Sequence, residues 1–389
     1  MTIQSNRRDI LKGGLAAAGL GILGIPEWVL PALAQGETLV PFTDLPDPLT
    51  LVRGPERRII DIRTIPDNGQ FTPADQFATT QHYGHPVIDP ATYRLRVSGL
   101  VDQALSLSVD DLRAMPSREI VVGFECSGNR GPINGLAGNG RWTGVPLRTI
   151  LDRAGVKPDA KEFVFFGADR GEEEVQFRGQ TFTVEQQYGR SLAREKALSS
   201  DPILVYALNG EPLTRHQGFP LRLLAPGWYG MALVKWLAEI HVQENRYLGK
   251  FQARHYRTLK GEMVNGEMKW KETDISTIQL KSFVARVTSN GSRHQVFGVV
   301  LNDGTPIRSV EVKVDDGSWQ PATMDPATSE KYSWKFFTYD WHGATPGEHT
   351  VVSRATDTEG TIQPTAEELE VKKTFLEHNA QHPRTVIIA

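Results

Sequence analysis

Phe124-Glu125-Cys126-Ser127-Gly128-Asn129-Arg130-Gly131 carries the only cysteine among 389 residues. A lone cysteine closes no intramolecular disulfide. Upstream, Glu119 to Phe124 is a short β-branched and apolar run, which predicts a buried strand. Downstream, Gly128, Gly131, Gly135, Gly138 and Gly140 predict a single loop whose backbone comes close to a neighbour, since glycine has no Cβ in the way. A thiol at the end of a strand, facing backbone, is a candidate metal ligand or nucleophile. The competing reading is a small buried core residue, the commonest fate of a free cysteine.

Working outward toward the amino terminus, Asn6-Arg7-Arg8-Asp9-Ile10-Leu11-Lys12 reads as a twin-arginine export signal. It is followed by an apolar stretch from Gly13 to Ile25 and a small-residue cleavage site at Pro31-Ala32-Leu33-Ala34. The apolar stretch is too short to span a bilayer. Export of an already folded chain suits a cofactor inserted before export. A metal-bound thiolate would also tolerate an oxidising compartment better than an exposed thiol. The net charge of −3 and hydrophobic content of 39% give no nucleic-acid or membrane signal.

Residues 37–75, rich in Pro, Thr and Asp, read as a surface segment, with Arg57 to Arg63 a strand or connector. The run Ala78-Thr79-Thr80-Gln81-His82-Tyr83-Gly84-His85 places two histidines three apart on a loop, either hydrogen-bonded or ligating. Ser108 and Asp111 form a capping-box signature, and Gly155 closes a helix that ends at Ala154. Glu162 to Gly167 and Pro202 to Leu208 predict strands, the second followed by an Asn209-Gly210 turn. Arg222 lies inside the apolar run Gly218 to Gly227, and Lys235 inside Val234-Lys235-Trp236-Leu237. A cation buried in an apolar strand needs an anion, and two of them suggest a shared phosphate; the alternative for each is a side chain snorkelling at a strand end. Residues 245–275 show few strand or helix signals. From Ser276, short alternating strands separated by Asn290-Gly291, Asp303-Gly304, Asp316-Gly317 and Glu359-Gly360 predict an immunoglobulin-like β-sandwich.

Taken together, Phe124 to Gly131, Trp142 to Ile150, Asn209 to Gly227, Val234-Lys235-Trp236 and Phe251 to Tyr256 resemble the sulfite oxidase family of molybdenum enzymes. The resemblance implies an α+β architecture. A signal segment (1–34) would precede a molybdopterin-binding catalytic domain (35–274) and a sandwich dimerisation domain (275–389). It implies a molybdenum–molybdopterin cofactor with Cys126 as the metal ligand. Tyr256, His82 and Trp142 would line the substrate side, with Trp142 in the channel wall. Ala78, Thr79, Thr80, Gln81, His82, Cys126, Asp169, Gln217, Arg222, Leu233, Val234 and Lys235 would hold the cofactor. The implied reaction is oxidation of sulfite to sulfate in the periplasm by a homodimer. The chain has no Cys-x-x-Cys-His for a haem of its own, so electrons would pass to a separate cytochrome c.

The sequence departs from the family pattern where the family carries substrate-binding charge. Thr80 and Gly131 stand in place of arginines, Gln217 in place of a histidine with His216 beside it, and His255 in place of an aspartate. A third arginine position falls around Lys372 and Lys373. His85, His255, Arg254 or a carboxy-terminal lysine could restore the charge. Otherwise the substrate is less anionic than sulfite, which leaves oxidation of sulfane sulfur, or reduction of an S- or N-oxide, as the alternative.

Overall fold

The structure is a computed structural model describing residues 33, 36–45, 58–66 and 71–389; the export-signal reading lies outside these residues except for Leu33. Sheet dominates, with few and short helices. One apolar core runs from Phe77 to Phe251. It gathers two five-stranded sheets. In the first, Arg222–Leu224, Ile203–Leu208, Ala137–Pro146 and Arg118–Glu125 lie side by side in that order, all antiparallel, with Glu211–Pro212 on the flank. The second is ordered Leu105–Leu107, Leu95–Gly99, Leu237–Gln243, Glu162–Phe177, Gln180–Ala193, and its contact between 237–243 and 95–99 is parallel.

A second core packs two sheets face to face. One is ordered Thr38–Leu39, Lys281–Asn290, Arg293–Leu301, Lys335–Trp341, Thr323–Met324. The other is ordered Gln320–Pro321, Ile307–Val314, Gly347–Asp357, Arg384–Ile388. Val284, Val287, Val299, Phe336 and Val351 are buried between the two sheets, with a register shift at Val284/Arg286 that lets both Val284 and Val287 join the core.

Local signals held where the chemistry is short-range. Ser108 Oγ accepts from the Asp111 N–H and the Asp111 carboxylate accepts from the Ser108 N–H, capping Val109–Arg113. Gly155 ends Leu147–Ala154 at φ 67°. Asn209 and Gly210 turn at φ 55° and 87°.

Three expectations fail. The glycine-rich stretch is not one loop, because Ala137–Pro146 is a strand. There, glycine serves packing: a Cβ at Gly138 would fall 2.6 Å from the Phe77 ring, and one at Gly140 would fall 2.5 Å from Leu208. Residues 245–275 contain a hairpin, Arg257–Val264 with Glu267–Asp274, turned by Asn265 and Gly266 at φ 53° and 83°. The segment 37–75 does not simply run over the surface. Val40, Phe42, Leu45, Ile60, Ile62 and Ile65 are buried in the sandwich core, and Thr38–Leu39 adds a strand to it.

Candidate active site

A cleft of about 570 Å³, counted to its open mouth, lies where the ends of these elements converge. The strand Arg118–Glu125 runs out at its floor and delivers Cys126, which is partly exposed. The backbone then turns, with the Asn129 N–H donating to the Cys126 carbonyl at 2.9 Å and the Cys126 N–H to the Leu136 carbonyl at 2.9 Å. The loop after Phe77 forms one wall with Ala78, Thr79, Thr80, Gln81 and His82. Asp169, Gln217, Arg222, Leu233, Lys235 and Tyr256 come in from the other elements.

Two residues expected in the site sit elsewhere. Trp142 does not line the cleft; it is fully buried behind the wall, edge-on to Phe77 at 5.5 Å, with its Nε1 donating to the Val122 carbonyl at 3.3 Å. Its place in the middle of a central strand, paired on both sides, makes it a support for Arg222, whose guanidinium lies 5.2 Å from its ring. Val234 is also buried and contributes backbone, its carbonyl accepting from the Leu223 N–H at 2.9 Å.

The two cations differ in their surroundings. Lys235 Nζ donates to Thr79 Oγ1 at 3.1 Å and to the Thr80 carbonyl at 3.0 Å, which ties the loop to the strand-end segment. Arg222 is 3% exposed and packs between the rings of Phe124 and Trp142. Its Nη1 donates to Gln217 Oε1 at 3.1 Å and to the Gln217 carbonyl at 3.3 Å, while its Nε has no hydrogen-bond partner among the described residues. Burial alone pushes this guanidinium down to about 9. A buried cation with a spare donor and no carboxylate beside it is prepared for an anion that enters the cleft.

At the mouth, His82 Nε2 and the Tyr256 hydroxyl are 2.8 Å apart. His82 also stacks on Tyr188 at 5.7 Å and meets Phe251, at 4.5 Å, and His255, at 5.0 Å. His82 keeps an exposed edge at the mouth; desolvation where it packs against these rings, followed by the neighbouring His255 and Lys250, lowers the imidazole to about 4. It is therefore neutral at pH 7. Burial, then Tyr188 and the Cys126 thiol, hold the Tyr256 phenol well above 10. Asp169 is pushed up to about 6 by burial, and its Oδ1 has no hydrogen-bond partner among the described residues.

Sequence reasoning missed Tyr188, Met231, Phe124 and Trp236 as lining residues. Tyr188 follows the polar Glu185-Gln186-Gln187 in Gln180–Ala193, a strand with no apolar run to announce it. Its hydroxyl donates to the Met231 carbonyl at 2.6 Å, linking the two sides of the cleft.

The donor set suits a phosphorylated pterin that carries molybdenum. Among the described residues there is no group of three or more His, Cys, Asp and Glu able to hold a metal. A metal at Cys126 would take its other ligands from a bound group, and a soft thiolate would match a soft dithiolene partner. The buried Arg222, with Lys235, supplies the donors a phosphate needs.

Comparison with known proteins agrees with this reading. Residues 82–251 match the oxidoreductase molybdopterin binding domain. Mitochondrial sulfite oxidase of Mus musculus is 29% identical over 329 residues, 76% of this chain and 58% of that protein. The chain thus spans about three-fifths of its mammalian relative's length. Nitrate reductase [NADH] of Volvox carteri is 32% identical over 286 residues, 65% of this chain and 32% of the relative. The sulfane dehydrogenase SoxCD from Paracoccus pantotrophus superposes with a TM-score of 0.70 at 25% identity, covering 88% of this chain and 90% of that one. A cysteine at a strand end, a buried arginine behind it, the molybdopterin binding domain over residues 82–251 and these relatives together support a molybdoenzyme of the sulfite oxidase type, with molybdenum–molybdopterin as its cofactor.

Proposed function

We propose that the protein is a periplasmic sulfite dehydrogenase that oxidises sulfite and passes the electrons to a separate cytochrome c. The observation that supports this best is the convergence of Cys126, Tyr256 and His82 on one cleft whose inner wall carries Arg222 and Lys235. Arg222 and Lys235 would hold the pterin phosphate, with Gln217 and Thr79 setting those two side chains, and Cys126 would hold the metal. When bound, the cofactor supplies two-electron oxygen-atom chemistry at molybdenum.

The chain's own residues orient the substrate and manage its protons. With His82 neutral, the tautomer protonated on Nε2 donates to the Tyr256 oxygen. That leaves the phenolic proton free for a substrate oxygen. A phenol held well above 10 keeps that proton, so Tyr256 acts as a donor throughout the ordinary pH range. The ring cluster of Tyr188, Phe251 and His255 fixes His82 and excludes water from one side of the hydrogen bond.

A second reading is favoured by the charge of the cleft. Arg222 and Lys235 are its two cationic lining residues, both on the inner wall, and the His82 beside Tyr256 is neutral at pH 7. Such a mouth also accepts a less anionic sulfur substrate, as a sulfane sulfur or an S-oxide would be. Purified holoprotein assayed for sulfite-dependent reduction of ferricyanide, and separately for reduction of methionine sulfoxide, decides between them. Sulfite turnover lost on Cys126→Ser supports the proposal, whereas turnover retained by that variant refutes the metal-ligand role. Export is tested by Arg7→Lys with Arg8→Lys, which should leave the protein in the cytoplasmic fraction, and the dimer by light scattering.

A further inference from the structure

The residue just before Cys126 is a carboxylate with no solvent exposure, Glu125. Its Oε1 receives the ammonium of Lys281 and the Asn129 Nδ2 at 3.0 Å. Lys281 Nζ also donates to the Asn129 carbonyl at 3.0 Å, and Asn129 Oδ1 accepts from the Leu136 N–H at 2.9 Å. Glu125 Oε2 is buried with no hydrogen-bond partner among the described residues. Lys281, 3% exposed, opens the strand Lys281–Asn290 of the sandwich, so one core reaches into the other at the loop that carries the thiol.

The arrangement closes around Cys126 on every side of its backbone. Glu125 is held by Lys281, the Cys126 N–H by the Leu136 carbonyl, and the Ser127 carbonyl by the Glu377 N–H at 2.7 Å. Asn129 is held by both members of the ion pair. For stability alone this is a poor use of a core position. Two buried charges cost about as much to desolvate as their attraction returns, and an apolar pair of similar volume is often as stable or more so. A closed polar ring does what an apolar pair cannot: it fixes the loop by directional bonds, so that the thiol has one orientation.

We propose that Glu125, Lys281 and Asn129 are positioning residues that aim the Cys126 thiolate into the cleft, and that the sandwich takes part in metal binding through Lys281. This rests on the reading of Cys126 as the metal ligand. The predicted consequence is that breaking the ring frees the thiol without unfolding the protein. Groups that orient a metal ligand typically contribute 10–100-fold to metal affinity.

The test uses Lys281→Met, Glu125→Gln, the double variant, and Asn129→Ser, which opens the ring and keeps the ion pair. Cys126 is the only cysteine, so its reaction with a thiol reagent such as DTNB reports on it alone. In protein made without cofactor, the double variant should unfold in urea near the wild-type midpoint. Its thiol should react about tenfold faster, and Asn129→Ser should move the same way. In loaded protein, molybdenum remaining after dialysis should fall in each variant. A double variant or Asn129→Ser that reacts at the wild-type rate and keeps its molybdenum overturns the proposal and leaves the triad a structural brace. Molybdenum retained by Cys126→Ser defeats the ligand reading instead, and the thiol kinetics distinguish the two failures.

Discussion

Replacing Arg222 with methionine should change stability in opposite directions, depending on whether the cofactor is bound. In the cofactor-free protein the guanidinium is fully enclosed, and burial lowers it from 12.5 to about 9. That depression corresponds to roughly 5 kcal/mol of penalty for holding the charged form, at about 1.4 kcal/mol per tenfold. Its folded value lies below its unfolded one, so the penalty is fully present below pH 9 and is relieved between 9 and 12.5. Methionine removes it and forfeits the bonds to Gln217 at 3.1 and 3.3 Å, which costs about 1–3 kcal/mol if the amide oxygen is left unpaired. The net expectation is a cofactor-free variant more stable by about 2–4 kcal/mol, within the range seen when buried ion pairs are replaced by apolar groups. In the loaded protein, the phosphate loses its buried partner at a cost of about 3–5 kcal/mol, or roughly 10²-fold or more in affinity. Urea unfolding of the cofactor-free forms at pH 7 measures the first effect, and elemental analysis of molybdenum per chain after gel filtration measures the second. Wild-type cofactor affinity should also fall as pH rises above about 9, since binding an anion there requires a proton to be taken up first. A variant that is less stable without cofactor by more than about 2 kcal/mol, yet retains molybdenum normally, would show that Arg222 is a packing residue and refute the phosphate assignment.

Asp169→Asn should stabilise the cofactor-free protein by up to roughly 3 kcal/mol at pH 7. Burial raises its folded value from 3.8 to about 6, so its favourable contribution holds below 3.8 and is lost as pH rises through 6. The gain should therefore vanish in urea titrations run near pH 4. Tyr256→Phe, which removes the hydroxyl 2.8 Å from His82, should lower sulfite kcat/KM by about 10²-fold. An unchanged rate with ferricyanide as acceptor would remove the phenol from the mechanism. Gly131→Arg should cost about 1–3 kcal/mol, because a Cβ there falls 2.5 Å from the His382 ring. Adding His382→Ala should recover most of that loss in the urea midpoint; no recovery would mean that the clash lies elsewhere.

The parts legible in the sequence were those written in a few adjacent residues. A capping box, a glycine C-cap and an Asn-Gly turn each need only local chemistry, and all three formed. The buried cation at 222 was legible for a related reason: an arginine in an unbroken apolar run has nowhere to go but inward. What stayed hidden depends on residues far apart in the chain. The hairpin Glu162–Phe177 with Gln180–Ala193 is polar along its outer half, so only its pairing reveals it as sheet. Trp142 reads as a wall residue until its strand turns out to have partners on both sides. Lys281 lies 156 residues from the glutamate it meets, and no local pattern marks either as a member of a pair.

The departures from the family pattern acquire physical reasons in the same way. Gly131 is glycine because the carboxy-terminal segment comes back over the cysteine loop and puts the His382 ring where a side chain would begin. That segment is itself fastened there. Arg384 donates to Asp44 Oδ2 at 2.6 Å and to the Pro132 carbonyl at 2.9 Å, and His382 Nε2 lies 3.3 Å from the same Asp44 oxygen. At position 80 the side chain is exposed and the backbone is what matters, since its carbonyl receives Lys235. Position 131 has no room for a side chain in this fold, and position 80 serves through its backbone. Chain returning from the sandwich covers one side of the loop. Lys372 arrives on that returning segment, pushed down to about 8 chiefly by burial, with its Nζ on the Glu377 carbonyl. A lysine poised near 8 beside the cysteine loop titrates where an arginine would stay charged. Lys372 stands outside the cleft lining, so its charge reaches the substrate only at a distance; oxidation of an anion that draws on that charge should weaken as pH climbs through 8, and Lys372→Arg should remove the decline.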